Sequence, residues 1–190
     1  MALTDSTSGK VLRQYSIEEL KDAANLMRGY DLVALHAAGS GHAGGTLSIM
    51  DITAALYLKI ANHDPQNPEW AGRDRIIWST GHKAPSLYLG LAFAGFCPIE
   101  DVVTLRKLSS PFQGHPHWLK LPGVEASTGS LGQGLSIAVG LALAARPRGG
   151  RIRVPLPADR GPYSVFVQRR RSRRLPAASF DARLVSHAFW

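Results

Sequence analysis

Arg75-Ile76-Ile77-Trp78-Ser79-Thr80 is a short run with an apolar centre that stops at Gly81-His82, and a helix is expected directly after it, from about Ala84 to Ala94. A run this short, rich in β-branched and aromatic residues and closed by glycine, suits a buried strand. Strand, glycine turn and helix together form the unit from which α/β domains with a mainly parallel sheet are assembled.

Working outward, the flanking segments extend the same pattern. Upstream, Ser16-Ile17-Glu18-Glu19 has the capping-box spacing, in which serine and glutamate each satisfy a free backbone N–H at a helix start. Ile17, Leu20, Ala24, Met27, Leu32 and Leu35 then form an apolar stripe, and Gly39 is a suitable stop. A loop is expected over Gly39-Ser40-Gly41-His42-Ala43-Gly44-Gly45-Thr46, followed by a second helix from Ser48 and Asp51 to about Ile60. Asn62 to Pro68 reads as a further loop. Downstream, Pro98 opens a helix to about Leu108, an irregular stretch covers Ser109 to Ser130, and Leu135 to Ala145 is strongly helical. No internal repeat is visible.

Charge divides the chain in two. Residues 1–145 carry 11 Lys and Arg against 12 Asp and Glu, whereas residues 146–190 carry 11 Arg, no Lys and only Asp159 and Asp181. The whole net charge of +8 therefore comes from the last 45 residues. That segment also holds Pro147, Pro155, Pro157, Pro162 and Pro176, and its Arg169-Arg170-Arg171-Ser172-Arg173-Arg174 run repels itself in a compact fold, so little stable structure is expected there. Such a run attracts phosphate, which leaves a nonspecific nucleic-acid binder as one alternative function. Without interleaved aromatic residues it predicts no specific recognition.

Cys97 is alone, which excludes an intrachain disulfide and suits a reducing compartment, so a cytoplasmic location is expected. The first fifteen residues lack a signal-peptide core. The longest apolar stretch, Leu135 to Ala145, falls short of the ~20 residues needed to span a bilayer.

Three histidines follow glycine directly, in three separate expected loops: Gly41-His42, Gly81-His82 and Gly114-His115. Glycine lets a backbone approach a ligand closely, and histidine exchanges protons near neutral pH. Any one of them alone is more simply an ordinary core or surface histidine. Three, at loops where an α/β domain places its ligands, leave the two readings evenly matched. Thr128-Gly129-Ser130-Leu131-Gly132-Gln133-Gly134, ahead of a helix, has the form of a cofactor loop, but it fits neither the P-loop nor the dinucleotide fingerprint. The spacings give no compact zinc motif.

Taken together, these segments resemble a known family. Ser40-Gly41-His42-Ala43-Gly44-Gly45, Asn67-Pro68-Glu69-Trp70, Arg73-Asp74-Arg75, Ser79-Thr80-Gly81-His82, Gln113-Gly114-His115-Pro116, Pro122-Gly123-Val124-Glu125 and Thr128 to Gly134 occur in transketolase order and spacing. The resemblance is nearest to the separately encoded N-terminal subunit of split transketolases and covers about 130 of the 190 residues. Deoxyxylulose-phosphate synthases share the first two Gly-His motifs in looser form. Ala43 stands where proline is usual.

The resemblance implies an incomplete thiamine-diphosphate-binding fold, with a parallel sheet flanked by helices. Its expected parts are an N-terminal extension (1–15), a partial diphosphate-binding domain (16–145) and an off-family tail (146–190). It implies thiamine diphosphate and Mg²⁺ as cofactors, and transfer of a two-carbon ketol unit between sugar phosphates. A separate C-terminal subunit and a homo- or hetero-oligomer are the implied partners, with no membrane and no specific nucleic acid. His42, His82 and His115 would be catalytic, and Gly129, Leu131 and His82 would contact the cofactor. His117 falls outside the motif.

The family continues with a buried strand ending in Gly-Asp-Gly and a later asparagine, which together hold the metal and through it the diphosphate. No such motif follows here: Ala158-Asp159-Arg160-Gly161 is not that turn, and the last asparagine is Asn67. Charge balance, motif order and foldability all break near Arg146. Residues from about 147 onward are therefore read as frameshifted or otherwise non-native, and the chain as inactive alone. The alternative within the family is an active split subunit.

Overall fold

In the computed structural model the described residues are 3–145, 165–169 and 180–181. Helix α1, Ile17–Ala38, begins at the expected capping box: Ser16 Oγ accepts from the Glu19 N–H, and the Glu19 carboxylate accepts from the Ser16 N–H. It ends at Gly39, which takes the left-handed conformation that a side chain disfavours. The buried face of α1 is Leu20, Ala23, Ala24, Met27, Asp31, Ala34 and Leu35. This corrects the expected stripe, since Ile17 and Leu32 are exposed and an aspartate occupies its middle.

The glycine-rich segment expected to be loop instead contains a short helix, α2, Ala43–Ser48. Thr46 fixes it by donating both its N–H and its hydroxyl to the His42 carbonyl, which offsets the poor helix propensity of Gly44-Gly45. Helix α3, Met50–Ala55, runs into a π-helical turn, Leu56–Ile60. Strand β3, Arg75–Ile77, leads through a 3-10 turn, Gly81–Lys83, into α4, Ala84–Ala94.

Ten of the eleven residues of α4 are buried, as expected for a helix apolar on all sides. It packs against α1, α3 and the π-turn and forms the centre of the main core with Met27, Met50, Leu58, Trp78 and Phe112. The helix expected after Pro98 is a 3-10 turn, Ile99–Thr104, and α5 spans Gln133–Ala145. Among the described residues no helix is long and apolar enough to cross a membrane.

Residues 3–13 of the expected N-terminal extension carry a strand pair. Strands β1, Leu3–Thr4, and β2, Val11–Arg13, form an antiparallel pair. The Thr4 N–H donates to His63 O and the Ser6 N–H to Asp64 Oδ2, docking the pair on the 62–68 loop.

Two further strands lie within the 146–190 segment. Strand β4, Val165–Arg169, lies in the tail and pairs with β3 in antiparallel register, Ile76 opposite Phe166. Strand β5, Phe180–Asp181, pairs with β4, again antiparallel. The physical cause is local: Val165-Phe166-Val167 is a strand-forming triplet, and β3 has ladder groups that must be paired. The α/β class stands, but the ladder among the described residues is antiparallel rather than parallel. The Arg170–Arg174 part of the basic run lies outside the described residues.

Candidate active site

The site is built where β3 ends. Trp78 is buried and donates its indole N–H to Ser86 Oγ at 3.1 Å, and Ser86 donates to Lys83 O at 2.7 Å, so strand end, turn and helix start are locked together. Thr128 Oγ1 donates to Trp78 O at 2.5 Å, and the Gly132 N–H donates to Ser79 O at 3.3 Å. These two bonds draw the 128–134 loop against the strand end. Gly81 is required at this junction: a Cβ there would lie 2.5 Å from Thr128 O and 2.8 Å from His115 Cδ2.

The three Gly-His loops converge here. The His42 ring, at the start of α2, stands 5.3 Å from the His82 ring, nearly perpendicular to it. His115 approaches from the third loop, beside Gly81 and close to Gly129. Its backbone is held from below, because Tyr88 donates its hydroxyl to Gln113 O at 2.7 Å and lies 3.2 Å from His115 O. His42 and His115 are exposed and His82 is half-buried. Burial holds His82 below the usual histidine range, reinforced by the neighbouring His42, Lys83 and His115. A neutral imidazole both accepts and donates a hydrogen bond, as a group that moves protons must.

Leu131, expected at the cofactor, is 60% exposed, while Gly129 is half-buried. His117 stays out of the cluster and accepts the Leu119 N–H at 3.3 Å through Nδ1. Lys83 follows the Gly-His pair directly, and no motif marks it in the sequence. It is only 4% exposed, its stem lies along Gly45, and burial lowers its pKa. Also unmarked in the sequence are the hydroxyls of Ser79 and Thr80, which are buried at the strand end with no hydrogen-bond partner among the described residues. Glu125 is ion-paired to Arg73 at 2.7 Å with both side chains nearly buried, a structural tie rather than a free acid. Among the described residues no group of three or more His, Cys, Asp or Glu is placed to hold a metal ion.

An α/β unit with ligand-type loops gathered beyond a strand's carboxyl end defines the chain as part of a cofactor-binding domain. The family model for the transketolase thiamine-diphosphate-binding domain matches residues 20–152, and the chain belongs to that family. It is 44% identical over 126 residues to a 6-deoxy-6-sulfo-D-fructose transketolase subunit from Clostridium sp. (strain MSTE9), covering 66% of this chain and 46% of that protein. It is 41% identical over 136 residues to transketolase 2 of Escherichia coli (strain K12), covering 71% of this chain and 20% of the relative. The crystal structure of transketolase from Campylobacter jejuni superposes with a TM-score of 0.64 at 39% identity, covering 70% of this chain and 21% of that one. The chain thus spans between a fifth and a half of the length of these relatives.

Proposed function

We propose that the chain supplies the histidine side of a transketolase active site, for transfer of a two-carbon ketol unit between sugar phosphates. The observation that carries this reading is the meeting of His42, His82 and His115 from three separate loops, with His82 kept neutral. The residues present fit one part of thiamine diphosphate. Buried hydroxyls at Ser79 and Thr80 lack partners among the described residues, and Gly129 leaves room on its backbone beside His115. His82, Gly129 and Leu131 would hold the cofactor, which when bound supplies a carbon nucleophile for a ketose carbonyl.

The chain's own share is binding and proton transfer. His42 and His115, exposed at the mouth, bind sugar hydroxyls. The neutral His82 accepts a proton as a hydroxyl is deprotonated, and returns it. General acid–base help of this kind is worth roughly 10²–10⁴-fold in rate. The residues do not fit the Mg²⁺ and diphosphate end, since among the described residues no group of three or more His, Cys, Asp or Glu is placed to hold a metal ion.

On this reading the chain is inactive alone, and residues from about 147 are a non-native continuation of the gene. The family match ends at residue 152, close to the change in composition. The coding DNA from the Arg146 codon onward, read in all three frames, tests the second point. Another frame encoding an apolar strand, Gly-Asp-Gly and a later asparagine supports it, and no such frame overturns it.

One observation favours a second reading, an active subunit that needs a C-terminal partner: the Clostridium relative is itself named a subunit. Coexpression with the C-terminal part of a split transketolase, followed by a ketol-transfer assay, decides between them. Activity in the mixture supports the second reading, and none supports the first. A cytoplasmic location fits both.

A further inference from the structure

Arg106 is unusual on three counts. Its backbone takes φ +62°, a left-handed conformation that side chains other than glycine, asparagine and aspartate seldom adopt. Its N–H donates to Phe112 O at 2.8 Å, closing the loop that leads to His115. It is exposed, yet no carboxylate engages it among the described residues.

Its guanidinium instead joins two loops. Nη1 donates to Ser40 Oγ at 3.1 Å, two residues before His42. The same group lies close to Gly114, where a Cβ would sit 3.1 Å from Nε and 3.3 Å from both Cζ and Nη2. A side chain at 114 would crowd that approach. The next residue adds a second tie, since Lys107 Nζ donates to Ala37 O at 2.6 Å in the last turn of α1. Residues 106 and 107 together hold the end of α1, the Ser40–His42 loop and the Gly114–His115 loop to one another.

We propose that Arg106 is a positioning residue for the site, its guanidinium bridging Ser40 and Gly114 so that His42 and His115 are held in fixed relation to His82. This rests on the reading of the three histidines as one site. Strain at Arg106 fits the role, because a left-handed residue persists where its surroundings over-determine it, and such residues cluster at functional sites. A site of this kind depends on supporting contacts that lock its side chains within a fraction of an ångström.

The test uses the full chain and its histidine ring NMR signals. Arg106→Ala is expected to shift the His42 and His115 signals and to weaken the ring-to-ring NOE between His42 and His82. The buried His63 signal and the urea midpoint stay in place. Arg106→Lys keeps a donor for Ser40 but loses the guanidinium close to Gly114, so it restores the His42 signal and not that of His115. Ser40→Ala moves His42 alone. Arg106→Gly removes the left-handed strain with the side chain, and gives the same histidine shifts with an unchanged or higher midpoint, which keeps the test readable if the alanine variant folds poorly.

The proposal is overturned if His42 and His115 stay unmoved in Arg106→Ala and Arg106→Gly, or if His63 shifts and the midpoint falls with them, which marks a general loosening. Failure of the wild-type chain to bind thiamine diphosphate would bear on the proposed function and leave these shifts interpretable.

Discussion

Replacing Asp31 with asparagine is expected to stabilise the protein at pH 8 and to leave it almost unchanged at pH 4. Asp31 lies in the middle of the buried face of α1, fully excluded from solvent, and neither carboxylate oxygen has a hydrogen-bond partner among the described residues. Burial raises its pKa from 3.8 to about 7. The folded state therefore holds a proton that the unfolded state releases. The stability associated with this group is present in full below about pH 4, falls as the pH rises toward 7, and is flat above.

A shift of about three units at ~1.4 kcal/mol each sets an upper limit of about 4 kcal/mol, and relaxation or water penetration lowers the realised value to about half of that. Asparagine has nearly the same shape and no proton to lose. The assay is urea unfolding of both proteins at pH 4, 5.5, 7 and 8, followed by the fluorescence of buried Trp78 and the other tryptophans. Taking the difference between the two proteins removes the contribution of every other titrating group. The difference should open between pH 4 and 7 and reach about 2–4 kcal/mol at pH 8. A difference independent of pH, or a wild type more stable at pH 8, would refute the reasoning, because it would mean that Asp31 is a paired carboxylate.

His63 gives the opposite slope. It is buried beside Tyr57 and Phe96, and burial lowers its pKa from 6.5 to about 4, so stability is lost as the pH falls from 6.5 toward 4. His63→Phe should flatten that acid limb, read from urea midpoints at pH 4.5 and 7. Gly81→Ala places a methyl 2.5 Å from a backbone oxygen that cannot yield cheaply. The cost should be roughly 1–3 kcal/mol and appear as a lower Tm, with the 128–134 loop displaced. An unchanged Tm would mean that the 128–134 loop does not pack on the strand end as described.

Much of the fold is legible in the sequence where local chemistry is decisive. The capping box and Gly39 set both ends of α1, and the apolar Ala84–Ala94 run matches α4. Three departures have separate causes: a local side-chain bond, the register of a helix, and a strand-forming triplet that finds an edge to pair with. Gly44-Gly45 reads as loop, yet Thr46 closes a helical turn onto His42 O. The apolar stripe expected for α1 passes through Leu32, whereas the step of four from Met27 leads to Asp31, an aspartate that sequence patterning alone assigns to the surface. The Arg- and Pro-rich tail reads as holding little stable structure, but its Val165 to Val167 triplet pairs with β3. At the site, motif order predicted which histidines belong together. It gave no sign of the Lys83 burial or the Arg106 bridge, because both depend on loops that meet only after folding.

Titration of the purified full chain with thiamine diphosphate, once with Mg²⁺ and once with a chelator, tests the central claim most directly. A site with its histidine side and without its metal and diphosphate ligands should bind weakly, with the same affinity in both conditions. Stoichiometric binding that requires Mg²⁺ would contradict the account.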